Sequence, residues 1–367
     1  KLRGGLRPLF LLPVAMALAA CSGISSRSST SHFDASARSA GYQAEIRRTT
    51  MGVPHIKARD WAGAGYGYGY AQAQDNLCTM ADGFLTYRGE RSEFFGAQAK
   101  PPASSTIGKP ANIDSDFFHR HVITDEVIDA MDRAQPAAIR GMVEGFAAGY
   151  NRYVRDLKSG AVDKGNAHAA CRNEAWVRPV SATDIFRRMY ATNLAAGYSN
   201  FLSNIANAAP PGAGVSSPGP SDAQPMALQV GGTAGVGSNM IGFGTAATGD
   251  SSPLLFGNPH WYWRGPDRFY QAQLTIPGQL DASGTSFLGV PVLLIGFNND
   301  IAWSHTVSAA RRFGLYQLAL VPGDATSYLR DGKPVKMQAR GITVKVKRAS
   351  GRVEPVTRTL YASEYGP

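Results

Sequence analysis

The chain has 367 residues, 44% apolar and 17% charged, so it can bury a sizeable core and is not an intrinsically disordered protein. Its formal net charge is +10, yet the basic residues are scattered, with small clusters only at Arg47-Arg48, Arg311-Arg312 and Lys345 to Arg348. No basic stripe interleaved with aromatic residues occurs, which excludes nucleic acid as an expected partner.

Residues 1–21 begin with Lys1, Arg3 and Arg7 and continue through an apolar run to Cys21, the layout of a secretory signal peptide. The run is too short to span a bilayer as a mature helix. Leu18-Ala19-Ala20-Cys21 has the form of a bacterial lipobox, whose cysteine is lipidated and becomes the new N-terminus. An ordinary signal peptide with an incidental cysteine is the alternative. The expectation is therefore a periplasmic protein held at the outer membrane through lipid on Cys21, with residues 22–43 as a flexible tether. Removing the three basic residues with the signal lowers the net charge from +10 to +7. Because the chain opens on Lys1 and stops at Pro367 without a terminal element, it reads as the N-terminal part of a longer precursor.

Residues 44–207 read as mainly helical. They begin with strand-like alternation over 44–57, and the stretch from Gly63 to Phe84 turns helical after its glycines. Its spacing approaches a dinucleotide-binding loop, but Tyr66, Tyr68 and Tyr70 crowd it and no acidic residue follows a second strand. Close helix packing is the better account of the glycines, and no cofactor is expected. From Pro136 onward, Ile139, Met142, Val143, Phe146, Tyr150 and Tyr153 share one helical face, and residues 182–206 form another helical stretch. His119 and His121 alternate as metal ligands can, but two are too few and no metal is expected. Cys78 and Cys171 are candidates for a disulfide in an oxidising compartment, two buried thiols being the alternative.

Residues 208–237 are rich in Pro, Gly, Ala and Ser and read as a spacer. Residues 238–367 then supply short strand candidates at 239–243, 254–256, 269–276, 292–297, 301–307 and 315–321. Ser238 stands where the spacer meets the first of them. It lacks a G-x-S-x-G elbow and precedes a strand, which argues against an ordinary serine hydrolase. If the Gly237-Ser238 bond is cut, the freed α-amine titrates near 7.7–8.0 and can serve as the base for the serine's own hydroxyl. Gly237, without a β-carbon, leaves that peptide open to attack.

The surrounding motifs are GVPHI at 52–56, AQDN at 73–76, RGERSEFFG at 88–96, GSN at 237–239, GNPH at 257–260, RFYQAQLTIPG at 268–278 and AWSHTV at 302–307. In this order they resemble the penicillin acylase family of N-terminal nucleophile (Ntn) hydrolases, especially the acyl-homoserine lactone and aculeacin A acylase branch. The resemblance implies an α/β fold with a four-layer αββα core, incomplete in this chain, in which a helical α-chain segment precedes the β-chain sheet. It implies Ser238 as nucleophile, Gly237 as the residue released from it, His260 as the group that orients the serine and its amine, and Val307 as a backbone oxyanion donor. The second donor, an Asn side chain, is expected beyond residue 367. Trp261, Phe287, Val290 and Ile295 match the acyl pocket, an apolar set suited to an aliphatic chain. His305 is expected to be a packed core histidine. Acidic residues follow the oxyanion strand in the calcium-binding branch, whereas Ser308 to Arg312 stand here, so no calcium is expected. Met240 replaces the usual Ala. The implied activity is hydrolysis of N-acyl amides, with acyl-homoserine lactones favoured, by α and β chains of one precursor. A β-lactam or lipopeptide acylase, and an inactive lipid-anchored binding protein of the same fold, are the alternatives.

Overall fold

The structure is a computed structural model that describes residues 41–162, 166–195, 197–211, 236–308 and 313–367. The segment expected to be a signal with Cys21, residues 22–40 of the expected tether, Arg311-Arg312 and most of the expected spacer lie outside the described residues.

The alternation at 44–57 produces strands β1 (Ala44–Arg48) and β2 (Pro54–Ala58), paired antiparallel around Gly52, whose φ of 83° suits a residue without a β-carbon. Helix α1 (Trp61–Arg88) follows, starting before its glycines rather than after them. The Asp60 side chain accepts the Gly63 N–H at 2.7 Å, and Gly89 closes the helix in the left-handed region, φ 64°. Inside it, Asn76 leaves helical geometry at φ −141° and kinks the helix. Beside the kink, Asp75 accepts from Tyr270 at 2.6 Å and from Arg48 at 2.9 Å. The AQDN motif is therefore a structural joint between helix and sheet.

Short α2 (Arg91–Phe95), α3 (Asn112–Val122) and α4 (Asp125–Ala134) lead to α5 (Ala137–Lys158). Helices α1 and α5 touch backbone to backbone. A Cβ on Gly65 or Gly69 would overlap the carbonyl oxygen of Met142 or Phe146, and one on Gly145 or Gly149 that of Ala62 or Tyr66. The glycine spacing that mimics a nucleotide loop is thus a reciprocal close-approach seam. Met142, Val143, Phe146, Tyr150 and Tyr153 on α5 are buried, as the periodicity predicts. The buried Arg91 of the RGERSEFFG motif pairs with Asp82 at 2.8 Å, while the Asp116 carboxylate accepts the Arg91 and Ser92 amides at 2.9 and 2.7 Å. A disulfide joins Cys78 on α1 to Cys171.

The helical stretch at 182–206 is broken. α6 (Ala182–Asn193) starts with a capping box between Ser181 and Asp184, a 3₁₀ turn covers Tyr198–Phe201, and α7 (Leu202–Ala206) is short. After the spacer come β3 (Gly237–Phe243), one helical turn, α8 (Thr245–Thr248), and β4 (Leu254–His260), which form a separate antiparallel hairpin. Strands β5 (Phe269–Ile276), β6 (Leu280–Phe287), β7 (Ile295–Phe297) and β8 (Ala302–Trp303) complete a six-stranded sheet in the order β1-β2-β5-β6-β7-β8, with β2 and β5 parallel. Helix α1 covers the sheet face that carries Ile56, Tyr270, Ala272 and Leu274.

The strand candidates at 292–297, 301–307 and 315–321 shrink to three, two and two residues, the last being β9 (Leu320–Val321). Strand β10 (Asp324–Arg330) pairs antiparallel with β9 on one side and with β11 (Lys333–Lys336) on the other, and β12 (Gln338–Lys347) with β13 (Val353–Ala362) forms a hairpin over α2 and α3. The architecture is α/β. Of the four-layer arrangement, the described residues supply the six-stranded sheet and the helical layer on it, and Ser238 sits outside that sheet in the β3–β4 hairpin.

Candidate active site

The antiparallel register of β3 and β4 places Gly237 opposite His260 and Ser238 opposite Pro259. Ladder pairing fixes both backbones, so the peptide between Gly237 and Ser238 is held in one extended conformation. The Ser238 hydroxyl donates to the Gly237 carbonyl oxygen, so Oγ lies against the peptide bond that precedes it. A Cβ placed on Gly237 would stand 3.3 Å from Nδ1 of His260, so the imidazole flanks the same bond. Nδ2 of Asn258 lies 3.1 Å from His260 Nε2 and, as a donor, leaves the ring proton on Nδ1, the side facing Gly237.

Ser238 opens onto a cavity of about 330 Å³. Val307, Trp261, Phe287 and Ile295 line it with Ser238, so the cavity gathers the serine, the expected oxyanion segment and three of the four expected acyl-pocket residues. Trp261 stacks on Phe287 with centroids 5.5 Å apart, and Phe269 stacks on Phe287 at 5.3 Å, giving a continuous aromatic wall. Leu294 and Ile295 add aliphatic surface.

Two expectations require correction. Val290 does not line this cavity. It is 3% exposed in the core, and its amide donates to Phe287 O at 3.1 Å in a turn that Gly289 completes at φ 79°, which directs the residue inward. His305 is not a packed core histidine: the sheet ends at Trp303, and beyond that edge His305 is exposed and lines the cavity. His260 is exposed beside Gly237 and is not part of the cavity wall.

The sequence reading also missed Thr106, Thr192, Asn193 and Asp267, which come from segments far from Ser238. Asp267 is 2% exposed and forms an ion pair with Arg188 at 2.9 Å. A charged pair this deep persists only when its remaining groups are satisfied, and here they are. Asp267 Oδ2 accepts from the Thr106 amide and hydroxyl at 2.7 and 2.9 Å, and Arg188 donates to Leu288 O, Tyr87 Oη and Pro266 O at 2.8 to 2.9 Å. No sequence spacing signals this pair.

His119 and His121 are buried on α3, and burial holds the His119 imidazole down at about 4. Among the described residues, no group of three or more His, Cys, Asp or Glu side chains is arranged to hold a metal ion.

Residues 43–367 match the profile of the penicillin amidase family. The chain is 41% identical to an aculeacin-A acylase of Actinoplanes utahensis over 331 residues, 89% of this chain and 41% of the relative. It is 40% identical to the acyl-homoserine lactone acylase PvdQ of Pseudomonas fluorescens (strain Pf0-1) over 332 residues, 88% of this chain and 40% of that one. A Pseudomonas putida protein of the same name is 38% identical over 324 residues, 88% of this chain and 41% of that one. The chain thus spans about two fifths of the length of these relatives. With its whole sequence from Gln43 onward matched, the chain belongs to the penicillin amidase family.

Proposed function

We propose that this chain is part of an N-acyl amide hydrolase that activates itself by cutting between Gly237 and Ser238. The observation that carries the reading is one cavity holding Ser238, Val307 and the Trp261–Phe287 wall, with the Ser238 hydroxyl already against the Gly237 carbonyl. In the activating step, Oγ of Ser238 bonds to the Gly237 carbonyl carbon, and the bond from that carbon to the Ser238 nitrogen breaks. Water hydrolyses the resulting ester, leaving a carboxylate on Gly237, and on Ser238 a free hydroxyl and a free α-amine. His260 beside the bond orients these groups.

The α-amine, with an ordinary value of about 7.7–8.0, is partly neutral at physiological pH and takes the hydroxyl proton as Oγ attacks the substrate amide. The Val307 N–H holds the oxyanion, and a second donor comes from outside residues 1–367. The departing amine takes the proton, and water then releases the acyl group. The aromatic and aliphatic wall supports a fatty acyl chain as the acyl group.

The relatives named for acyl-homoserine lactones support those lactones as substrates. The aculeacin-A acylase, equally similar, supports a lipopeptide as the second reading. Turnover of a long-chain acyl-homoserine lactone beside an acylated lipopeptide and penicillin G, by the processed full-length protein, separates them. No release of homoserine lactone at any chain length contradicts the first. The signal-like residues 1–21 support export and an outer-membrane anchor at Cys21. A Cys21→Ala precursor then leaves the membrane fraction, and unchanged fractionation contradicts the anchor.

A further inference from the structure

The geometry points to the buried Arg188–Asp267 pair as the positioning device that shapes the acyl pocket, so that it sets which acyl lengths are accepted; this rests on the acylase reading of the cavity. Asp267 gathers three separate segments of the cavity lining. Through Oδ2 it holds the amide and hydroxyl of Thr106, and through its backbone oxygen it accepts the Trp261 indole N–H at 2.8 Å. Through Oδ1 it holds Arg188, whose guanidinium lies over the rings of Tyr87 and Phe287 at 5.1 and 5.8 Å from their centroids.

The stack Tyr87, Arg188, Phe287, Trp261 is therefore continuous, and its charged layer is pinned by Asp267. Thr106, Trp261, Phe287 and Asp267 itself all line the cavity. An apolar occupant gains from such a wall in proportion to the surface it covers, so displacing Phe287 or Trp261 costs a long chain more than a short one. Arg188 and Thr106 precede Ser238 in the chain, whereas Asp267, Trp261 and Phe287 follow it. The pair thus joins, around one pocket, the two segments that cleavage would separate. A buried ion pair contributes little net stability compared with apolar packing, so its value here is in fixing geometry.

The test compares wild type, Asp267→Asn, Arg188→Lys and Thr106→Val, made as the full-length precursor, with active sites counted by the acylation burst. Kinetics are measured on butanoyl and dodecanoyl amides of one amine, and dodecanoate binding is measured by calorimetry on the same proteins. The expected result is a rise of about tenfold or more in KM and in dodecanoate Kd for Asp267→Asn, a smaller rise for Thr106→Val, and in each variant a ratio of dodecanoyl to butanoyl KM that increases over wild type. Arg188→Lys keeps the charge but loses the forked contacts, so it falls between wild type and Asp267→Asn. A uniform fall for both substrates per active site, or no change for either in any variant that folds, overturns the proposal. A wild type that binds dodecanoate but hydrolyses no amide overturns the acylase reading alone, and the binding series then decides the positioning role. A wild type that takes up no dodecanoate overturns the proposal directly.

Discussion

Gly237 lies directly across the β3–β4 ladder from His260, which sets the imidazole beside the peptide bond that precedes Ser238. On the proposed mechanism, this placement would give His260 a part in both self-cleavage and turnover. His260→Ala is expected to slow both, with a loss in kcat of about a hundredfold, the size expected when the reacting groups lose their positioning. Processing rates followed by gel and burst-calibrated kinetics check this, and wild-type rates on both counts contradict it.

The seam between α1 and α5 leaves no room for a side chain at Gly69 or Gly145. Gly69→Ala or Gly145→Ala forces the helices apart and is expected to cost about 3 kcal/mol, at the upper end for overpacking, even though alanine favours an isolated helix. Urea unfolding measures it. A gain in stability contradicts the close approach.

The Cys78–Cys171 disulfide closes a loop with a sequence separation of 93. On the chain-entropy account such a loop contributes about 4 to 5 kcal/mol, so the Cys78→Ser, Cys171→Ser double variant is expected to unfold at markedly lower urea. Two titratable thiols in the unreduced wild type, or an unchanged midpoint, contradict the bridge.

His119 gives a signed pH dependence. Burial favours its neutral form and lowers it from 6.5 to about 4, so its contribution is complete above pH 6.5 and is lost as pH falls through about 4. Asp116, on the same helix, is pushed up by burial from 3.8 to about 6, so its contribution is present below 3.8 and lost as pH rises through about 6. Between pH 4 and 6 the two slopes oppose each other. The stability difference between wild type and His119→Gln should therefore change by about 1.4 kcal/mol per pH unit between about 4 and 6.5. A difference independent of pH contradicts the buried neutral imidazole.

Local periodicity made α5 and β5 legible, because their burial repeats every turn or every second residue. Strand β6 was not, since Asp281-Ala282-Ser283-Gly284-Thr285-Ser286 is small and polar, and Gly284 is required where its backbone meets Ile295 O. Strands β10 and β11 also escaped, β10 because its burial does not alternate and β11 because it is four residues long and contains Pro334, whereas β12 and β13 alternate as β5 does. At the site, Ser238, Val307, Trp261, Phe287 and Ile295 were named through the family resemblance, and all five line one cavity. Val290 and His305 went astray because a turn and a sheet edge, which no residue pattern marks, decide which way they face. Arg188 and Asp267 are paired only by tertiary structure.

The most direct measurement is the N-terminal sequence and intact mass of the polypeptides made from the full-length gene, beside a Ser238→Ala control. The account predicts two chains in the wild type, one beginning Ser-Asn-Met, and a single uncut chain in the control. A single uncut chain in both would contradict Ser238 as an N-terminal nucleophile.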